Sequence, residues 1–152
     1  MLISPIRFVA ILIAITAIAR LAYVIRRQRQ RRALQGLARR WQMHYSPHDR
    51  FEIADRIADR FPLPGAAEVR VVDLIYGTES TGAGEFYRYL FSAEYTVGVT
   101  RRKHRQRRVV TFREPKGRTT AADWSPLVFA APAEDLLAQY EALHAAPSPA
   151  QG

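Results

Sequence analysis

The stretch SPIRFVAILIAITAIARLAYVI, residues 4–25, decides how the rest of this chain is arranged. Arg20 is the single charged residue between positions 8 and 25. A helix over residues 5–25 would be ~31 Å long at ~1.5 Å per residue, close to the ~30 Å of a hydrocarbon core. Ser4 and Pro5 are typical of an N-cap and a first helical residue. The stretch therefore predicts one transmembrane helix that begins at Pro5.

Arg20 and the signal-like features of this stretch leave alternatives open. Arg20 lies five residues before the end of the stretch, so its side chain can reach the headgroups, although a partner or an ion pathway inside the membrane is a second interpretation. The tripeptide at residues 17–19, AIA, resembles a signal-peptide cleavage site. A cleaved signal and a buried core helix are thus the two alternatives to an uncleaved anchor.

The charges on either side of the stretch predict its orientation. Arg7 is the only charged side chain near its start, whereas five arginines follow within seven residues of its end. Because basic residues are retained on the cytoplasmic side, we expect a single-pass protein of the cell membrane, with its N-terminus outside and its C-terminal domain in the cytoplasm.

The composition divides the chain of 152 residues into four parts. The net charge of +9 comes from the first 45 residues, since all fourteen acidic residues lie further along, together with fourteen of the 23 basic ones. There is no cysteine, so disulfides and thiol chemistry are excluded. We expect a transmembrane anchor at 1–25, a basic juxtamembrane helix at 26–45, a cytoplasmic α+β domain at 46–144 and a disordered tail at 145–152.

The juxtamembrane segment combines an apolar stripe with many arginines. Four residues, Leu34, Leu37, Ala38 and Trp41, have the spacing of one helix face. This stripe either packs on the soluble domain or lies in the membrane interface. Its basic side chains are candidate contacts for anionic lipid headgroups, and nucleic acid is a less favoured ligand. These candidates are Arg26, Arg27, Arg29, Arg31, Arg32, Arg39 and Arg40.

The following residues alternate between helical and strand patterns. Ser46 and Pro47 predict the start of a helix that Pro62 ends. Strands are expected at 69–76, 86–99 and 108–113, with a short fourth strand at 127–130, and a glycine-rich loop at 77–84. In the second strand, aromatic and small apolar residues alternate with polar ones, except at Leu90.

A last helix is expected to open at Pro132. The predicted fold class is α+β: one N-terminal transmembrane helix, then a small antiparallel sheet of three to four strands with two packed helices. An antiparallel meander is expected because the connections are too short for helical crossovers.

A second basic cluster occupies residues 101–108, which we interpret as a hairpin tip. It is either a solvated turn, a contact with the membrane surface, or a site for nucleic acid or an acidic protein. The candidate residues of this basic hairpin are Arg101, Arg102, Lys103, Arg105, Arg107 and Arg108.

The sequence contains no recognisable catalytic motif. None of the four histidines has the spacing of a nucleophile-activating or metal-binding motif, so we predict no catalytic residues, no metal and no cofactor. The expected function is that of a membrane-anchored, non-catalytic interaction or scaffold protein whose protein partner is unknown. The alternative is binding of anionic lipid or nucleic acid through the arginine clusters.

Overall fold

A computed structural model describes residues 4–61, 66–98, 103–117, 123–133 and 135–146. The chain forms two compact units, Met1–Ala33 and Leu34–Gly152. The longest element, helix α1 (Pro5–Arg40), supplies all the described structure of the first unit and the first residues of the second.

The first unit is an apolar helix whose side chains are exposed. Helix α1 begins at Pro5, as predicted, and the carbonyl of Ser4 accepts hydrogen bonds from the N–H groups of Arg7 and Phe8 at 2.9 and 3.1 Å. Its large apolar residues from Ile6 to Ile25 are all exposed. An 18-residue window of α1 has a mean hydropathy of 2.4 and none of it is buried. The helix is long and apolar enough to cross a membrane.

The second unit is an α+β fold built on one antiparallel sheet. Its strands follow in the order β1-β2-β3-β4-β5, so the predicted antiparallel meander is confirmed. The sheet has five strands, however, and not three to four. Their bounds are β1 His44–His48, β2 Ala66–Thr81, β3 Gly84–Val97, β4 His104–Pro115 and β5 Val128–Phe129.

The additional strand is β1, where the sequence predicted the start of a helix. Tyr45 and Ser46 pair with residues of β2, and an edge strand can accommodate Pro47 because its missing N–H is not needed there. Pairing with β2 thus overrides the local Ser-Pro signal. The predicted loop at 77–84 is likewise wrong, because β2 and β3 continue to Thr81 and from Gly84.

Short helices complete the second unit. Helix α2 (Ile53–Ile57) and the 3₁₀ turn Ala58–Arg60 occupy only part of the helix expected from Pro47. The carboxylate of Asp49 accepts hydrogen bonds from the N–H groups of Ile53 and Ala54, both at 2.8 Å, and so caps α2. Helix α3 (Leu136–Ala145) begins after Asp135, whose carboxylate accepts from the N–H of Leu137 at 3.0 Å. Residues 147–152 of the predicted tail lie outside the described residues.

The sheet is covered on both faces, which explains why six consecutive residues of β3, from Arg88 to Ala93, are buried. One face packs against α2 through Phe91 and its neighbours. The other face, which contains Leu90, packs against α3 and against Leu34, Leu37 and Ala38 of α1. The apolar stripe of the juxtamembrane segment is therefore part of a core.

Helix α1 ends at Arg40, before the left-handed Gln42 (φ 56°), and not at residue 45.

Candidate functional site

The arginines of α1 differ in their surroundings. In the first unit, Arg26, Arg29 and Arg32 are exposed and form no ion pair with any residue that the structure describes. They lie on successive turns within ~9 Å of helix, a length comparable with one headgroup layer. In the second unit, Arg39 is exposed, and Arg40 approaches Glu141 of α3 at 3.6 Å. Arg27 and Arg31, by contrast, are half-buried.

The predicted basic hairpin is largely a strand. Arg105, Arg107 and Arg108 belong to β4, which begins at His104, four residues before the strand that the sequence predicted. Lys103 is exposed, and Arg101 and Arg102 lie outside the described residues. The guanidinium of Arg105 pairs with Glu94 of β3. Part of the charge of this cluster is therefore already neutralised by the sheet.

Arg107 belongs to a buried polar network centred on Asp73. The carboxylate of Asp73, which is fully buried, accepts hydrogen bonds from Arg107 at 2.5 Å and from the hydroxyl of Tyr45 at 2.7 Å. The backbone carbonyl of Asp73 accepts from the hydroxyl of Tyr140 at 2.6 Å, and this hydroxyl lies 3.0 Å from that of Ser92. One network thus connects four strands with α3.

The backbone at Asp73 is unusual for a strand. Its φ of 52° lies in the left-handed region, at a register shift between Val72 and Ile75 of β2. Such a bulge turns both the side chain and the carbonyl of one residue toward partners that a regular strand would not reach. Burial raises the pKa of the Tyr140 hydroxyl far above its ordinary value, so it stays a neutral donor. The network is therefore suited to holding the strands and α3 together.

A second network covers the C-terminus of α3. Arg88, only 5% exposed, donates to the carbonyls of Leu143 and His144 at 2.7 and 3.2 Å. These carbonyls have no partner within the helix, so the guanidinium satisfies them. Glu79 lies 3.5 Å from Arg88, and the imidazole of His144 stacks on Trp41, with ring centroids 3.9 Å apart. Burial, and then the charge of Arg88, lower the pKa of His144.

The opposite face of the sheet carries an aromatic and charged cluster. Arg56 of α2 donates to Glu114 of β4 at 2.8 Å, and its guanidinium lies 4.5 Å from the ring centroid of Trp124. The hydroxyl of Tyr89 donates to the same carboxylate at 3.2 Å. Burial, reinforced by Glu114, raises the pKa of Tyr89. These contacts attach α2 and the segment around Trp124 to the sheet.

A groove lies where β4 and α3 diverge. It has a volume of about 350 Å³ and is lined by Arg107, Arg108, Pro132, Ala133 and Gln139. Gln139, only 7% exposed, donates to the carbonyl of Ala133 at 2.7 Å and accepts from the N–H of Val109 at 3.4 Å. The groove therefore has a fixed polar wall beside two arginines.

Another depression, of about 510 Å³, lies where β3 ends and where β2 and β4 begin. Its lining contains two acidic residues, Glu68 and Glu94, and two basic residues, Arg70 and Arg105, so the charges balance. No group of three or more histidine, aspartate or glutamate side chains within the described ranges is arranged to hold a metal ion. This depression offers balanced charge, whereas the groove beside α3 offers an excess of positive charge.

Sequence reasoning missed Asp73 and Gln139, the two residues that organise this region. The signal for Asp73 was present, because a single carboxylate interrupts the apolar run of residues 69–76 and has to find a partner if the run is buried. Gln139 gave no such signal, since a glutamine in an amphipathic helix is ordinary. Comparison of the chain with protein-family models, with curated proteins and with solved structures finds no match.

Proposed function

We propose that this chain is a membrane-anchored, non-catalytic interaction or scaffold protein. The observation that carries the proposal is the contrast between its two units: an apolar helix with exposed side chains, and a charged, well-packed α+β unit. A helix of this kind leaves water favourably only by entering a bilayer. The α+β unit would then be presented at the membrane surface.

The contacts of the α+β unit favour binding over catalysis. Its buried polar groups, above all Asp73, Arg88 and Tyr140, are engaged in hydrogen bonds that connect strands and helices. A catalytic group needs access to a substrate and a pKa that matches its role. Tyr140 has neither, because it is buried and because burial raises its pKa. Surfaces and grooves, in contrast, remain available to another macromolecule.

Binding of anionic lipid through the basic arm, which is the juxtamembrane segment of residues 26–45, is the second candidate function, with nucleic acid as a less favoured ligand. It is supported by the exposed Arg26, Arg29 and Arg32, which have no acidic partner among the described residues. Each basic residue near an anionic membrane surface adds to the attraction, and an arm that follows a membrane helix meets lipid first. The two functions are compatible if the arm binds headgroups while the α+β unit binds protein.

The location that we propose is the cell membrane, with a single pass and the α+β unit in the cytoplasm. The support is the arginine-rich segment that follows residue 25, which resists translocation. An uncleaved helix is part of this proposal, and the mass of the chain extracted from membranes tests it directly. A chain shortened at the AIA tripeptide would make the segment a signal peptide.

Affinity capture distinguishes the two candidate functions. The whole chain is extracted from membranes in mild detergent and captured, and bound proteins are identified before and after nuclease treatment and washing at high salt. We expect specific protein partners that survive both treatments, because apolar and backbone contacts are not screened. Recovery of only nucleic acid or anionic lipid, lost at high salt, would favour the second candidate and overturn the first.

A further inference from the structure

The backbone pairing along the outer edge of β4, the side away from β3, changes at Val109. On one side of this residue, Val110 and Thr111 pair with β5, and the carbonyl of Val109 itself accepts a hydrogen bond from the N–H of Ala130 at 2.9 Å. On the other side, toward His104, no described residue forms a backbone hydrogen bond to this edge. Part of β4 therefore borders the groove beside α3 as an edge strand.

Some of the backbone N–H and C=O groups along this edge point away from β3, toward the side that has no strand partner. In an antiparallel strand the N–H and C=O of alternate residues point the same way, so Arg105 and Arg107 present theirs in the direction that Val109 does. The chain leaves the edge before Pro132, which has no N–H to donate. Gln139 takes the place of a strand partner for the N–H of Val109. The edge thus offers alternating donors and acceptors, as another strand requires.

Arg108 provides a second and independent observation. Strand β4 contains four arginines, and three of them, Arg105, Arg107 and Arg113, are paired with carboxylates. Arg108 is half-buried, lines the groove, and has no ion pair or hydrogen bond with a described residue. A partly desolvated guanidinium without an anion is costly, and a carboxylate from outside would relieve that cost.

We infer that the β4 edge, residues 104–108, binds an extended acidic segment of a partner protein as an added strand, with a carboxylate of that segment on Arg108. The inference rests on the proposed function and names the chemistry of its partner. The backbone pattern favours a strand, and Arg108 with the exposed Lys103 favours acidic side chains. A second copy of this edge would bring like charges together. A phosphate ligand would satisfy Arg108 and leave the backbone groups unused.

The test uses the full chain in nanodiscs of neutral lipid and three seven-residue peptides. The first alternates valine and glutamate, the second has lysine in place of glutamate, and the third is the acidic peptide with every amide nitrogen methylated. Methylation keeps the charge and removes the donors. We expect the first peptide to bind at least about tenfold more tightly than the others, since it alone supplies both the strand and the carboxylates.

Variants identify the residue and the edge. Arg108→Gln should weaken binding of the acidic peptide about tenfold, whereas Arg50→Gln, the same charge change on the β1–β2 side of the sheet, should leave it unchanged. Arg105→Pro should abolish binding, because it removes an outward N–H and leaves the ladder with β3 in place. A thermal transition checks that each variant is folded.

The inference is overturned if no peptide binds, if the methylated peptide binds as tightly, or if Arg50→Gln weakens binding as much as Arg108→Gln. It is also overturned if anionic vesicles or an oligonucleotide bind through Arg108 and the acidic peptide does not. If peptide binding fails while salt-resistant protein partners are still captured, the edge is not the site and the proposed function stands. Loss of both refutes the proposed function as well.

Discussion

The guanidinium of Arg107 donates a hydrogen bond to the carboxylate of Asp73 across 2.5 Å, and this pair connects β4 with the bulge of β2. The side chain of Asp73 is fully buried and that of Arg107 is 27% exposed. Removing one member of a buried pair leaves the other charge without compensation, which costs more than the pair contributes as a whole. The pair therefore makes the position of the bulge relative to β4 sensitive to a single substitution.

We expect Arg107→Met to lower the free energy of unfolding by about 3 kcal/mol, because the buried carboxylate of Asp73 would lose its hydrogen bond from a guanidinium. Chemical denaturation of the α+β unit measures this loss. Arg105→Met is the matched control, since the Arg105 side chain is 66% exposed and its loss should cost about 1 kcal/mol or less.

Asp73→Asn combined with Arg107→Met should cost less than the sum of the two single changes, because an amide does not need a cation and asparagine tolerates the left-handed backbone. Strict additivity, or equal losses for Arg105→Met and Arg107→Met, would show that the pair does not act as described.

His144 should make the stability of the folded chain depend on pH. Its pKa in the folded chain is lowered by burial and by Arg88, so the unfolded chain binds a proton more readily. The stability that depends on the neutral imidazole is complete above the ordinary pKa of about 6.5 and is lost as the pH falls below that value. We expect His144→Gln to flatten the decrease in stability on the acid side of about pH 6.5, measured by thermal unfolding across a pH series.

His104→Gln, at an exposed position of β4, is the control for losing an imidazole. The pH profile of His104→Gln should follow that of the unchanged chain. If the two histidine variants flatten the decrease in stability at acid pH equally, the burial of His144 beside Arg88 is not the source of the effect.

Much of the architecture was predictable because it depends on local patterns. The start of α1 follows from Ser4 and Pro5 and from the apolar run after them. The alternation along β3 and the short connections predicted an antiparallel meander. Leu90, the exception in that alternation, was the sign of a second covered face, although a single strand does not say what covers it.

The predictions that were wrong concern residues whose structure depends on partners distant in the sequence. Ser46 and Pro47 are typical of a helix start, and only pairing with β2 makes them a strand. The basic cluster looks like a hairpin tip in the sequence, because nothing local indicates that Arg107 meets Asp73, 34 residues away. Positive charge is visible in a sequence, whereas its neutralisation depends on the register of the sheet. The open β4 edge was unpredictable for the same reason.

Alanine substitutions at two glycines should change the free energy of unfolding in opposite directions. A Cβ added to Gly36, in an exposed turn of α1, meets no atom within 4 Å, so Gly36→Ala should raise the free energy of unfolding by about 1 kcal/mol. A Cβ added to Gly77 of β2 would lie 2.9 Å from Cγ of Met43, so Gly77→Ala should lower it. Thermal unfolding of both variants gives the two signs. A destabilising Gly36→Ala would mean that helix α1 is not continuous through this turn.

The proposed orientation is tested by cysteine labelling, because the chain has no cysteine of its own. With Ser4→Cys or Ser148→Cys, an impermeant thiol reagent reaches only the end that faces outward. We expect labelling of Ser4→Cys in intact cells and of Ser148→Cys only after lysis, since the arginines after residue 25 are retained in the cytoplasm. Labelling of Ser148→Cys in intact cells would reverse the orientation.

The basic arm should bind anionic membranes independently of the transmembrane helix. We expect a fragment of residues 26–152 to sediment with vesicles that contain anionic lipid and not with neutral vesicles, and its binding should weaken steeply with salt. Changing Arg26, Arg29 and Arg32 together to glutamine should reduce the affinity by about a hundredfold, because these exposed side chains have no acidic partner among the described residues. A fragment of residues 34–152, which keeps the buried Leu34 and Leu37, controls for the α+β unit. Equal binding of the longer fragment to neutral and anionic vesicles would contradict an electrostatic role for the arm.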